Sequence, residues 1–264
     1  MAEISTIIEE AQMMEQNRVD LVKALNDVGF TQVNDSTPLS DIAKYIKWAG
    51  GLLDIRLACL SKSTKEQKFF TREEWDSLSA ISKSSYIKLG VCLRAERQEF
   101  IIAKSDATMP DGSKGIKWST ANTDVRGLTN FVGSPDLLRD IDGRANTDII
   151  LASADYDGVE YPAAERARAY KASTVADGGM DDPTEWSLPA IGQLALLYKY
   201  YNELNAELRY YGLNPITDTW YWSSTEYGSS YAWYVYMSLG GINYFFSKSN
   251  AGYVRAVAPA IKTL

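Results

Sequence analysis

The chain reads as an α+β protein: an N-terminal helical, coiled-coil-like segment, then a domain of antiparallel strands with two main helices. Three observations predict this. Apolar residues recur at 3-4 spacing through about residues 3–28. Two helical patterns, Pro162–Lys171 and Leu188–Tyr211, interrupt strand-like runs. The last 45 or so residues are short, aromatic-rich, strand-like runs broken by Gly, Ser and Asn.

The N-terminal seam is Ile4, Ile7, Ala11, Met14, Leu21, Leu25 and Val28, broken at Arg18. Four heptads with apolar a and d positions predict self-association over a lone surface helix, and Ile at those positions favours trimers. A second helix is expected from Pro38, capped by Ser36 or Thr37, with Leu39, Ile42, Ala43, Ile46 and Ala49 on one face. Residues 1–60 thus read as an oligomerisation or attachment segment, 61–89 as a connector, and 90–264 as a ligand-binding domain. Within the connector-like stretch, Thr71 and the REEW after it predict a short capped helix to Leu78. Tyr86–Ala95 and Glu99–Ala103 predict a hairpin turning through Glu96, Arg97 and Gln98. Residues 104–130 are loop-like. Leu137–Ile141 leads to a turn at Asp142-Gly143. Pro162 opens one helix and Pro189 the other, which Asn202 interrupts.

Composition narrows the chemistry. The formal net charge is −7, which opposes a nucleic-acid partner. No apolar run is long enough to span a membrane, so no membrane insertion is expected, and the acidic N-terminus lacks the pattern of a secretory signal. Histidine is absent, which removes the commonest general base, the commonest metal ligand and any Ser-His-Asp triad. Two cysteines, Cys59 and Cys92, cannot hold zinc alone and are expected as reduced, partly buried thiols. Carboxylate pairs at Asp155/Asp157 and Asp181/Asp182 lie in polar loops and are expected to be solvated. The D-x-D-G fragments at Asp140–Gly143 and Asp155–Gly158 lack the distal Glu of a calcium loop. No enzyme activity, metal or cofactor is expected.

The strongest feature is residues 220–253. Of these 34 residues seven are Tyr, seven Ser, four Gly and two Asn, and only Glu226 and Lys248 are charged. Tyr with Ser, Gly and Asn is the composition of antibody-like paratopes, giving large contacts at low entropic cost. An ordinary antiparallel sheet with aromatic cross-strand pairs is the alternative. Trp220, Trp222 and Trp233 are expected to pack behind the strands. Arg255, in an apolar strand, needs a carboxylate or carbonyl partner if buried. Tyr244, Phe245 and Phe246 cannot all face inward, so at least one is exposed.

Several segments in order carry a resemblance: D-G-x-x-N-T at Asp142–Thr147, the helix from Pro162, W-S-L-P-x-x-x-x-L at Trp186–Leu194, W-S-S-T-E at Trp222–Glu226, A-W-Y-V at Ala232–Val235 and Y-V-R-A-V at Tyr253–Val257. Over roughly residues 90–264 the chain resembles C-type-lectin-fold domains of the formylglycine-generating-enzyme type, and within them the variable proteins of diversity-generating retroelements. The resemblance implies a fixed frame matched by Trp222, Ser223, Ser224, Trp233, Lys248, Tyr253 and Arg255. It implies that ligand-facing positions are drawn from Tyr227, Gly228, Ser229, Ser230, Tyr231, Tyr234, Tyr236, Ser238, Leu239, Gly241, Asn243, Tyr244, Phe245, Phe246, Ser247, Ser249, Asn250, Ala251 and Gly252. The enzyme's cysteine pair has no counterpart, since no cysteine follows Cys92. The sugar-calcium motifs of true lectins are also missing. The resemblance implies a phage tail-tip receptor-binding protein, made in the bacterial cytoplasm and carried on the virion. Its expected partners are a host cell-surface molecule (protein or glycan), other tail proteins and two further copies of itself. A bacterial cell-surface adhesin of the same fold is the alternative.

Overall fold

The structure, a computed structural model, describes residues 22–23, 53–132, 136–175, 179–238 and 240–261. The expected N-terminal helices and their seam, and Leu239, lie outside the described residues, as do the side chains of Asp155 and Asp157. The chain divides into two compact units, Met1–Asp54 with Arg94–Gln98, and Ile55–Leu93 with Glu99–Leu264. In the first, Asp54 and Arg94 form an ion pair at 3.7 Å.

The second unit is α+β, with antiparallel sheets and several helices. In chain order it contains β1 (Asp54–Ser61), β2 (Gln67–Phe70), α1 (Arg72–Ser77), α2 (Ala80–Ser84), β3 (Tyr86–Ala95), β4 (Gln98–Ala103) and β5 (Ile116–Lys117). A 3-10 turn at Leu137–Arg139 precedes α3 (Gly143–Asp157), α4 (Pro162–Arg168), α5 (Ile191–Lys199) and α6 (Tyr201–Tyr210). The chain then forms β6 (Trp220–Gly228), β7 (Tyr231–Tyr236), β8 (Gly241–Asn243), β9 (Ala251–Gly252) and β10 (Val257–Pro259). Among the described residues three sheets result, ordered β10-β4-β3-β1-β2, β5-β9 and β6-β7-β8.

The end of the stretch that reads as an attachment segment is where sequence and structure part. Residues 54–61 form a strand inside the five-stranded sheet, and the compact unit starts at Ile55 instead of near residue 90. Leu57, Ala58, Cys59 and Leu60 are all buried. A strand covered on both faces loses the apolar-polar alternation that marks a strand in sequence. Both cysteines are buried, Cys59 in β1 and Cys92 in β3. Burial pushes the Cys59 thiol up to about 12.

Local signals account for the helix ends. The Thr71 hydroxyl accepts a hydrogen bond from the Glu74 amide at 3.2 Å, and the Glu74 carboxylate accepts one from the Thr71 amide at 2.8 Å, so the capping box predicted for α1 forms. The long pattern Leu188–Tyr211 breaks at Tyr200, two residues before the Asn expected to interrupt it. The turn expected at Asp142-Gly143 is the start of α3, because the Asp142 side chain accepts from the Ala145 amide and caps the helix. Between β3 and β4, Glu96 and Arg97 both take positive φ, 50° and 64°. A two-residue turn of that type lacks its usual Asn-Gly signal here, so only the flanking strands mark it in sequence.

The core runs under the five-stranded sheet and the C-terminal strands. It joins Leu89 and Ile101 to Trp118, Tyr161, Trp186 and Trp222, with Ala163, Ala164 and Ala167 of α4 letting that helix lie close. Gly252 shows how tightly the last segments fit, since a Cβ there would come within 2.5 Å of the Trp220 ring.

Candidate functional site

Segments far apart in sequence meet at one polar junction behind the aromatic sheet. The β6–β7 register shifts between Trp222 and Glu226, so Ser223, Ser224 and Thr225 are carried on a bulge. All three are buried, and each hydroxyl has a defined partner. Ser223 donates to the Trp233 carbonyl at 2.7 Å. Ser224 Oγ accepts from Asn146 at 3.3 Å. Thr225 donates to Asp140 Oδ2 at 2.6 Å and accepts from the Ile191 amide, the first of α5, at 2.9 Å. Asn146 also donates to both oxygens of Asp140. Thr147 donates to the Gly143 carbonyl at 2.6 Å and accepts from the Leu188 amide at 3.0 Å. Gly143 itself must lack a side chain, since a Cβ would sit 2.4 Å from the Leu188 carbonyl. The repeated polar residues of D-G-x-x-N-T, W-S-L-P and W-S-S-T-E are thus one hydrogen-bond network that ties α3 and α5 to the back of β6.

A buried ion pair closes the other side of the bulge. Lys248 donates to Glu226, and both side chains are fully buried. Lys248 also donates to the Thr123 carbonyl at 2.8 Å and stands 4.6 Å from the centre of the Trp118 ring. Glu226 accepts from the Val125 amide at 3.1 and 3.3 Å. Burial pushes the Glu226 carboxyl up to about 7 against the pull of Lys248, and burial lowers the Lys248 amine. The pair pins the loop 118–125 to β6 and to the segment after β8. The sequence signal was present: these are the only two charges in residues 220–253, of opposite sign.

Arg255 has the partners its burial demands. Its Nε lies 2.9 Å from Asp106 Oδ1, an ion contact without the alignment of a hydrogen bond. Its terminal nitrogens donate to the carbonyls of Ala103, Asn214 and Pro215. Asp106 also accepts from Tyr221 at 3.1 Å and pairs with Lys114 at 3.2 Å. Nothing local marks Asp106 among the 34 acidic residues of the chain.

On this frame sits an aromatic face. Tyr227 and Tyr244 stack with centroids 3.9 Å apart and planes 3° from parallel. Trp233 meets both edge-on, at 5.6 and 5.0 Å, and Phe245 lies 4.8 Å from Tyr244. Phe245 is 69% exposed, Tyr231 40% and Phe246 38%. The side chains of Ser229, Ser238, Ser249, Asn250 and Ala251 are exposed as well. Tyr227, Gly228, Ser230, Tyr236, Gly241, Asn243, Tyr244 and Ser247 are half-buried. Of the three tryptophans, Trp222 and Trp233 are buried and Trp220 is half-buried.

Two of the expected ligand-facing residues are not at the surface. Tyr234 is 4% exposed, because its ring packs on Trp222 and Trp220, at 5.9 and 5.3 Å, and the half-open ring of Phe246 covers it at 5.1 Å. Gly252 is buried against the Trp220 ring. Composition alone could not assign these positions, since a Tyr fits either side of an aromatic strand.

The acidic loops have structural uses. Asp182, expected to be solvated, is fully buried and accepts from the Ala172 and Thr184 amides and the Trp186 indole, each at 2.8–2.9 Å. Asp140 anchors the bulge and Asp142 caps α3. Among the described residues no group of His, Cys, Asp or Glu is arranged to hold a metal, and no helix is long and apolar enough to cross a membrane.

Residues 107–258 match the family model described as the Lcl C-terminal domain. No curated protein matches the chain. Among solved structures, the chain is similar to a fimbrial protein from Bacteroides ovatus ATCC 8483 at 16% identity and a TM-score of 0.44, over 60% of this chain and 35% of that one.

Proposed function

From the premise that this chain belongs to the Lcl C-terminal domain family, we propose that it is a non-enzymatic binding protein that adheres through the aromatic face of residues 227–251. The observation that carries this reading is the contrast between that face and its support. Phe245, Tyr231 and Phe246 stand exposed among Ser and Asn, while the strands beneath them are fixed by a buried ion pair and a fully bonded bulge. Rigid aromatic anchors on a preorganised backbone bind at low entropic cost. In the finer form of the proposal the head is a C-type-lectin-like variable domain of a diversity-generating retroelement. It works at a phage tail tip, on a host surface protein or glycan, with other tail proteins as neighbours. The ordered motifs from Asp142 to Val257 support that form, and the polar junction gives D-G-x-x-N-T, W-S-L-P and W-S-S-T-E among them a structural reason.

Binding to host cells tests it. Replacing Tyr231, Phe245 and Phe246 together by Ala is expected to abolish binding, since aromatic anchors at hot spots contribute about 2 kcal/mol or more each. Thermal stability should fall only modestly, since Tyr231 and Phe245 as exposed side chains shift it by about 0.5 kcal/mol each and the remaining loss is the packing of Phe246 on Trp220 and Tyr234. Tyr234→Ala should do the opposite, keeping any binding that folded protein retains while costing about 3–5 kcal/mol as a core cavity. Host binding that survives loss of all three exposed rings would sink the proposal.

We further propose a homotrimer held largely by residues 1–50, which would present three faces and convert weak single contacts into avidity. Light scattering on the full chain at micromolar concentration should give three times the 29.4 kDa of one copy. A monomer would overturn it.

A further inference from the structure

A second concave site lies in the same unit, built from other residues than the aromatic face. The cavity is about 460 Å3 and is lined by Lys88 and Lys104, with Ser105, Ser173 and Asn214. That volume falls among small-molecule sites, roughly 300–1,000 Å3. No carboxylate is among the described residues that line it. In a chain of net charge −7, two lysines on one cavity without an acid are a local reversal of sign.

The walls are firmly built. Lys88 donates to the Tyr211 carbonyl at 2.6 Å, and its amine lies 5.4 Å from the Trp75 ring. The Asn214 amide donates to the Lys104 carbonyl at 3.0 Å. Arg255, held against Asp106, donates to Ala103 on one wall and to Asn214 and Pro215 on the other. The backbone on both sides is therefore locked to one buried guanidinium. The donors facing outward from these walls are less committed. The Lys104 amine and the Asn214 carboxamide have no hydrogen-bond or ion-pair partner among the described residues. Burial holds the Lys88 amine below its usual range, and the charges of Lys83 and Lys104 add to that. A bound anion would relieve both the burial and the repulsion.

We propose that this cavity binds a small organic anion, with Lys104 and Lys88 meeting its carboxylate, phosphate or sulfate and Asn214 and Ser173 meeting neighbouring hydroxyls. A cavity this size holds more than a bare ion, so the charged group is carried on a small polar body such as a sugar.

Titration calorimetry on the full chain tests it with four probes: glucuronate, glucose 6-phosphate, inorganic phosphate and neutral glucose. The expected result is saturable one-site binding of at least one organic anion, with glucose silent. Lys104→Ala should weaken it tenfold or more while leaving the melting temperature in place. Glucuronate as the tighter probe would identify a carboxylate ligand, and glucose 6-phosphate a phosphate ester. A Tyr231→Ala, Phe245→Ala double variant should bind the anion unchanged, which separates this site from the adhesive face. Lys88→Met supplies a second reading through the other lysine, with folding checked by the same melt. The proposal is overturned if neither organic anion binds, if glucose binds as well as they do, or if the folded Lys104 and Lys88 variants both keep full affinity.

Discussion

Glu226 and Lys248 show what a single pair can decide. Removing one member of a buried pair strands the other's charge, at a cost of about 3–5 kcal/mol, whereas removing both leaves a neutral gap. Glu226→Gln and Lys248→Met should each destabilise by that order in urea unfolding. The double variant should cost clearly less than the two added together. Additive costs would mean that the two charges do not depend on each other. Their opposite signs in an otherwise uncharged stretch were legible in the sequence, but their contact was not, because 22 positions separate them across two strands and a loop. Arg255 was legible by half: its need for a partner follows from its apolar neighbours, while the identity of Asp106 follows only from the fold. Tyr234 marks the opposite failure, a residue type that suits surface and core equally.

At the level of elements, the bulge in β6 is the part on which most else depends. Its Thr225 is both donor to Asp140 and acceptor for the first amide of α5. Thr225→Val keeps the shape and removes both bonds, leaving buried polar groups unsatisfied at about 1–3 kcal/mol each. Chemical denaturation should show a loss of that order, and Thr225→Ser should recover most of it. A loss below about 0.5 kcal/mol would mean that water replaces the hydroxyl. Whereas α3 reads only as a turn at its cap and α5 starts two residues after Pro189, the capping box of α1, the proline start of α4 and the strands β3 and β4 carry local signals. Strand β1 does not, because burial on both faces erases its alternation. The bulge does not either, because W-S-S-T-E specifies hydrogen bonds to partners outside its own segment.

Across the whole molecule, the two cysteines report on integrity. Both lie in inner strands of the five-stranded sheet, and burial pushes the Cys59 thiol up to about 12, so almost no thiolate exists at neutral pH. Native protein should therefore resist a thiol-specific reagent at pH 7 to 8, and both cysteines should react together on unfolding in urea. Fast reaction of one cysteine in the native state would show that the sheet opens locally. The sequence conveyed the class of this molecule and the character of its aromatic face. It did not convey how many of its motifs share one junction, since that convergence exists only once the helices are folded against the strands.

The order of the five-stranded sheet has a consequence for how the molecule is made. Its edge strand β10 pairs Val257 with Ile102, so the outer edge of β4 stays unpaired while the ribosome synthesises every helix of the head after it. An open edge invites pairing with other nascent chains. That edge is closed, and Arg255 brought to Asp106, only once Y-V-R-A-V has been made.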